Sequence, residues 1–320
     1  MSRSAVSYRL YGLAVRSRLV LPCPRARSSA PPDVELDGAS EAQVAVARAQ
    51  VGAERGGRRW FQCASLADGA TYLRWAGLFE FLISPDGRRI LYLAGKRATP
   101  ESLNVYLLGQ VLSFSLLAFG VESLHGTVVG VDGDAVAFLG DCGYGKSTLG
   151  AALLARGFPV LTDDLVALEE DKAGWTVHPG IPRLKLFPSL AQKLLGERVR
   201  GTPMNRGTSK LVLPLTRGQS ARRLLPLKAI YVLSDPRQRE RRGLAHVRIE
   251  RLSGGEALLE VIRAAFNLSV FERARLANQF TFASRLVGRV PMRRLTYPRD
   301  LSLLPTVCDT VLADCTGRAS

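Results

Sequence analysis

Residues Ala135 to Leu154 read A-V-A-F-L-G-D-C-G-Y-G-K-S-T-L-G-A-A-L-L. The first five are apolar, the length and composition of a buried strand. Gly140-Asp141-Cys142-Gly143-Tyr144-Gly145-Lys146-Ser147 then fits G-x-x-x-x-G-K-[ST] at every fixed position. From Thr148 to Ala155 the chain is rich in Leu and Ala, as a good helix is. Strand, glycine loop and helix in that order are the context that separates a phosphate-binding loop from a glycine-rich turn. Its glycines let successive backbone N–H groups converge on a phosphate, and the helix adds its positive end. The contacts expected for a nucleoside triphosphate, ATP, run from Gly140 through Asp141, Cys142, Gly143, Tyr144, Gly145, Lys146 and Ser147 to Thr148. Lys146 would bridge the β- and γ-phosphates, and the Ser147 hydroxyl would bind Mg²⁺.

Outward from that stretch, Leu124 to Val131 is a β-like run, and Asp132-Gly133 is a hairpin dipeptide leading into the loop's strand. This places His125 on the neighbouring strand, where a lone histidine is by itself more often structural. Downstream, Arg156-Gly157 ends the helix and Phe158 to Leu161 reads as a short buried strand, closed by Thr162-Asp163-Asp164. Acids at the carboxyl end of a parallel strand lie where ligands bind in such sheets. Two adjacent carboxylates repel unless a cation or a proton-transfer role compensates. One, Asp163, would support Mg²⁺, and the other would accept a hydroxyl proton.

At 320 residues the length suits roughly two domains. The net charge of +16 is mostly arginine, since lysine stands only at positions 96, 146, 172, 185, 193, 210 and 228. Such a balance fits either an acidic partner or a bias toward arginine as the surface cation. The charge is spread out and no basic helix carries interleaved aromatics, so neither nucleic acid nor a membrane is the expected partner. The five cysteines are scattered without a C-x-x-C pair, which indicates neither zinc nor a disulfide framework and points to a reducing cytoplasm. No continuous apolar stretch marks the N-terminus as a signal peptide.

Residues 1–96 read as a β-rich recognition or packing domain. Tyr8 to Val15 alternates as a strand and Arg18 to Leu21 as another, while Ser84-Pro85-Asp86-Gly87 is a hairpin turn between apolar runs. Thr99-Pro100-Glu101 caps an apolar helix ending at Gly120. Its polar interruptions make it a core helix rather than a membrane span. It opens a second domain, 97–298, and 299–320 reads as a helical tail. Within 175–187 Arg183 and Lys185 alternate, without showing which face they take; 196–210 has a loop's composition; Ser253 with Glu256 opens a helix as a capping box.

The run from His125 onward resembles the HPr kinase/phosphorylase family, bacterial serine kinases built on a phosphate loop. The resemblance lies in L-H-G-T-V-V, G-D-C-G-Y-G-K-S-T-L, A-R-G-F-P-V-L-T-D-D and G-G-E-A-L-L-E-V-I-R-A-A-F-N, roughly residues 120–270. Spacing agrees as well, with His125 15 residues before Gly140 and Asp164 24 after it. The resemblance implies an α/β fold, with a P-loop HPr-kinase-like domain following the β-rich N-terminal one. It also implies ATP and Mg²⁺ as cofactors, Asp164 as the general base toward a serine, His125 beside it, and a homo-oligomer. The family's Glu-x-Arg-Gly segment is replaced here by Val177-His178-Pro179-Gly180, so the reverse phosphorylase reaction is not expected. The opening Y-R-L-Y-G-L-A-V-R-S-R-L-V-L-P is similar to that of HPr-kinase-like proteins of peptide maturation, including lasso-peptide kinases. That implies a serine of a peptide or small protein as acceptor. A nucleotide-binding regulatory or peptide-chaperone module, and a small-metabolite kinase, are the alternatives.

Overall fold

The computed structural model of the chain describes residues 4–26, 30–51, 60–205, 207–237, 246–267, 270 and 272–317. It is a mixed α/β protein that divides into two compact units, residues 1–121 and 122–320. The apolar helix assigned from sequence to the second domain therefore falls in the first.

In the first unit, β1 (Val6–Leu10) and β2 (Leu13–Ser17) form a hairpin. Tyr11 and Gly12 both take positive φ between them, the turn that matches strand twist, so Tyr8 to Val15 is two strands rather than one. The expected strand at Arg18 to Leu21 is absent; those residues form a bend. A crossover through β3 (Val34–Gly38) and α1 (Glu41–Val51) leads to β4 (Phe61–Ser65), β5 (Thr71–Trp75), β6 (Phe79–Ile83) and β7 (Arg89–Ala94). The sheet order is β1-β2-β3-β7-β6-β5-β4. Thr99 caps α2 (Pro100–Tyr106), which passes through a π turn, Leu107–Val111, into α3 (Leu112–Ala118). Leu107, Leu108, Val111 and Leu112 are wholly buried, each worth about 1.5–3 kcal/mol of transfer free energy, and Tyr106 packs on Trp75 and Phe79.

The second unit's main sheet is built from β8 (Ser123–Val131), β9 (Asp134–Leu139), β10 (Val160–Glu170), β11 (Trp175–Val177), β15 (Leu225–Leu233), β16 (Arg248–Arg251) and β17 (Met292–Thr296), in the order β11-β10-β8-β9-β15-β17-β16. Only β9, β15 and β17 run parallel, and β11 also pairs with β15. One face is covered by α4 (Lys146–Ala155) and α8 (Leu304–Thr316), the other by α6 (Gly254–Ala264) and α7 (Arg273–Arg289). Near-continuous apolar strands such as β9 are what burial on both faces demands. A small sheet joins β12 (Arg183–Leu186), β13 (Thr202–Asn205) and β14 (Thr208–Pro214), with α5 (Pro188–Leu195) after β12.

Three expectations need correction here. The acids at 163 and 164 do not close a short parallel strand: β10 continues through Leu165-Val166-Ala167-Leu168 and pairs antiparallel with β8. The stretch 196–210 contains the β13–β14 hairpin, because Leu211 and Val212 give it a partner to pair on. The C-terminal helix is no tail. Val307, Cys308 and Val311 are fully buried against α4 and the sheet, and Asp314 accepts from Tyr231 and pairs with Arg293 at 2.9 Å. The run Arg237 to Arg242, R-Q-R-E-R-R, whose charge reads from sequence as a surface loop, lies largely outside the described residues. Among the described residues no helix is long and apolar enough to cross a membrane.

A charge cluster ties α1 to the first sheet. Arg48 grips Glu80 through two nitrogens, each at 2.6 Å, and the Tyr72 hydroxyl donates to the same carboxylate. Burial would raise the pKa of Glu80, but Arg48 and Tyr72 outweigh it and hold it below the usual value. A depressed carboxylate stabilises above its unfolded-state pKa, and that contribution disappears as pH falls through the folded value. Glu80→Gln is expected to cost about 1–3 kcal/mol and to flatten the acid limb of stability, read from hydrogen exchange of β5 and β6 amides against pH.

Candidate functional site

The loop after β9 takes the shape its glycines allow. Gly140 has φ 138° with the Tyr144 ring 3.0 Å from where a Cβ would stand; Gly145 has φ 102° at the start of α4. Lys146 is buried and arches back over the loop, its Nζ donating to the carbonyls of Gly140 at 2.5 Å and Asp141 at 3.0 Å. Burial draws its pKa down to about 8 against the opposing pull of Asp163.

Asp163 joins four elements. Its Oδ1 accepts from the Ser147 hydroxyl on α4 at 2.8 Å and from the Thr127 hydroxyl on β8 at 2.6 Å. Its Oδ2 accepts from the backbone N–H of Lys185 on β12 at 2.9 Å. Thr127 stands directly across the ladder from Asp163, a register set by a bulge between Val160 and Thr162. Close approach of helix and strand also requires Gly150 in α4, where a Cβ would come within 2.6 Å of Thr127.

Consecutive side chains of a strand point to opposite faces. Asp164 nevertheless lines the same cavity as Asp163, and its φ of 113° is what turns it there. A non-glycine residue held so costs about 1–3 kcal/mol, and the partners of Asp164 offset that cost. Lys185 Nζ lies 2.7 Å from its Oδ1, and His125 Nδ1 lies 3.5 Å from the same oxygen and donates to the Asp164 carbonyl at 3.1 Å. Burial would raise the Asp164 pKa, yet Lys185 above all carries it down to about 2. Burial, with Lys146 and Lys185 nearby, lowers that of His125, whose ring meets Phe266 edge-on at 5.6 Å. At neutral pH the pair is therefore a carboxylate beside a neutral imidazole.

These groups open on one cavity of about 550 Å³, lined by His125, Cys142 to Thr148, Asp163, Asp164 and Lys185. Gly140 and Asp141 do not line it; their carbonyls hold Lys146. One wall is apolar, with Leu186, Phe187, Leu190 and Met204, and Lys210 sits 5.4 Å over the Phe187 ring. At another side Pro236, Tyr297, Arg299 and Asp300 follow the ends of the parallel strands β15 and β17. Lys185 is the residue that sequence left undecided, because alternation of Arg183 and Lys185 with two leucines cannot say what faces them. Arg183 does not line the cavity and is buried. Thr127 stands inside L-H-G-T-V-V, but only the fold shows its bond to Asp163; Tyr297 and Arg299 carry no motif that would have found them. Among the described residues no three or more His, Cys, Asp or Glu side chains gather as a metal cluster. A hydroxyl and a carboxylate, both hard oxygen donors, are the set that suits Mg²⁺, which takes few protein ligands and fills its shell with phosphate and water.

No protein-family profile matches the sequence, and no curated protein matches it either. The fold is similar to a solved structure of the Hpr(Ser) kinase/phosphatase from Coxiella burnetii, at 12% identity and a TM-score of 0.34, covering 61% of this chain and 97% of that one.

Cys142 is the exposed thiol of the loop, whereas Cys308 and Cys315 are buried. Alkylation with N-ethylmaleimide is expected to modify Cys142 faster than those two. ATP with Mg²⁺ should slow it several-fold, as read by peptide mass spectrometry.

Proposed function

We propose that the second unit is an ATP- and Mg²⁺-dependent phosphotransferase that delivers the γ-phosphoryl group to a serine hydroxyl of a peptide or small protein. The observation that carries this reading is the shared cavity: Asp164, with His125 beside it, faces the same space as Lys146 and Ser147. A phosphate loop alone would bind nucleotide; an ionised, oriented carboxylate across from it supplies the second half of a transfer site.

Lys146 and the loop's N–H groups would hold the phosphates. Ser147 and Asp163 would hold Mg²⁺, which supplies neutralisation of charge on the β- and γ-phosphates when bound. Asp164 would accept a hydrogen bond from the acceptor hydroxyl. As the serine Oγ–P bond forms, the bond from the γ-phosphorus to the β–γ bridging oxygen breaks. ADP leaves, and the serine proton passes to the Asp164 carboxylate. A base with so low a pKa takes the proton late, which suits a loose transition state whose demand is positioning. His125, neutral and donating to the Asp164 carbonyl, would fix the strained backbone that aims this carboxylate.

Serine as acceptor rests on the family resemblance and on the apolar wall from Leu186 to Leu190, which suits a side chain flanking the reacting residue. Incubation with γ-labelled ATP and peptides encoded beside this reading frame tests it. Label is expected in peptide serine; label only in a small metabolite changes the acceptor class, and nucleotide binding without turnover overturns the transferase reading. Asp164→Asn should lower turnover at least about 100-fold while binding ATP no less tightly, and Lys146→Ala should weaken ATP binding about tenfold or more.

A further inference from the structure

We propose that Lys185 is a γ-phosphate ligand that exchanges partners: it pairs with Asp164 in the nucleotide-free protein and moves to the terminal phosphate when a triphosphate binds, releasing the carboxylate. This rests on the reading of the cavity as a triphosphate site and adds a second lysine to it, entering from the sheet rather than from the phosphate loop.

The geometry separates what is fixed in Lys185 from what can move. Its backbone is held on both sides, by the N–H bond to Asp163 and by the β12–β14 ladder, where Lys185 pairs with Val212. Its side chain lies in the cavity, with the ammonium 2.7 Å from Asp164. The hydrogen bond from Ser147 to Asp163, and that from Lys185 N–H to the same carboxylate, put Lys185 one residue's reach from the hydroxyl that begins α4. A lysine on four rotatable carbons is a point charge that can swing between neighbouring anions.

Charge decides the direction of the swing. Without nucleotide, Lys146 and Lys185 face Asp163 and Asp164, and Lys210, Arg299 and Asp300 also line the cavity, so the cations outnumber the carboxylates by one. A terminal phosphate carries more charge than a carboxylate and offers three acceptor oxygens, so beside this largely buried ammonium it outcompetes Asp164. Asp164 is not left without a counter-charge, because the buried Arg183 also favours its ionised form. Among the described residues Arg183 has no hydrogen-bond partner on any of its three side-chain nitrogens, and it sits two residues from Lys185 on the same strand. The exchange therefore frees a carboxylate oxygen for the acceptor hydroxyl only when a γ-phosphate is present, which discourages wasteful activation of that base with ADP in place.

Binding measured without acceptor tests this separately from transfer. Wild type, Lys185→Met and Lys185→Arg are titrated by calorimetry with Mg²⁺ plus either a non-hydrolysable ATP analogue or ADP. Lys185→Met is expected to lose about tenfold in affinity for the triphosphate and little for ADP, and Lys185→Arg to recover most of that loss. Because Lys185→Met leaves Asp164 poorly paired, the same substitution is also made on Asp164→Asn, where no ion pair remains to break. A triphosphate-selective loss on that background supports the proposal; equal losses for both nucleotides, or none, overturn it. Peptide phosphorylation by wild type alongside an unselective Lys185→Met overturns the exchange and keeps the transferase. Selective loss without any phosphoryl transfer does the reverse. A wild type that binds neither nucleotide overturns both.

Discussion

Two carboxylates that follow one another in a strand should face opposite sides of the sheet, and here both face one cavity. Everything else in the second unit accommodates that constraint. Asp163 keeps the regular direction and is anchored by donors from β8, α4 and β12, three elements that meet at a single side chain. Asp164 must turn, and it does so at a backbone angle that no sheet hydrogen bond favours. The cost is recovered by Lys185 and His125, the first placed by β12 of the small sheet and the second by β8, the strand next to β10.

The consequence is an electrostatic division between adjacent, chemically identical groups. Asp163 has both its oxygens occupied by hydrogen bonds within the fold, which makes it a support. Asp164 is instead paired with an ammonium on a flexible stem, a partner held less rigidly than the three donors of its neighbour. The environment rather than the residue type separates the two, as is general for paired carboxylates at reacting centres.

The first unit follows a different logic. Its sheet and the apolar helix segments over it carry no comparable cluster of nucleophiles, bases and glycine loops among the described residues. Its notable polar group, Glu80, is spent on joining α1 to the sheet. The long apolar helix is explained by burial on Trp75 and Phe79 rather than by a membrane.

How much of this was legible beforehand follows from the range of the forces involved. The phosphate loop, its flanking strand and helix, the Asp132-Gly133 hairpin and the caps at Thr99 and Ser253 are encoded within a few residues, by backbone freedom at glycine and by side chains that bond their own neighbours. The amino-acid sequence alone therefore determined them, together with the spacing that made His125 and Asp164 candidates. It misread β10, because a strand's direction and length depend on which partner it finds, and β8 lies more than thirty positions earlier in the chain. It could not choose a face for Lys185 or pair Thr127 with Asp163, since alternation says only that two faces exist. Which face meets the cavity, the left-handed turn at Asp164 and the docking of the C-terminal helix were decided by tertiary structure, where contacts between distant residues outweigh local preference.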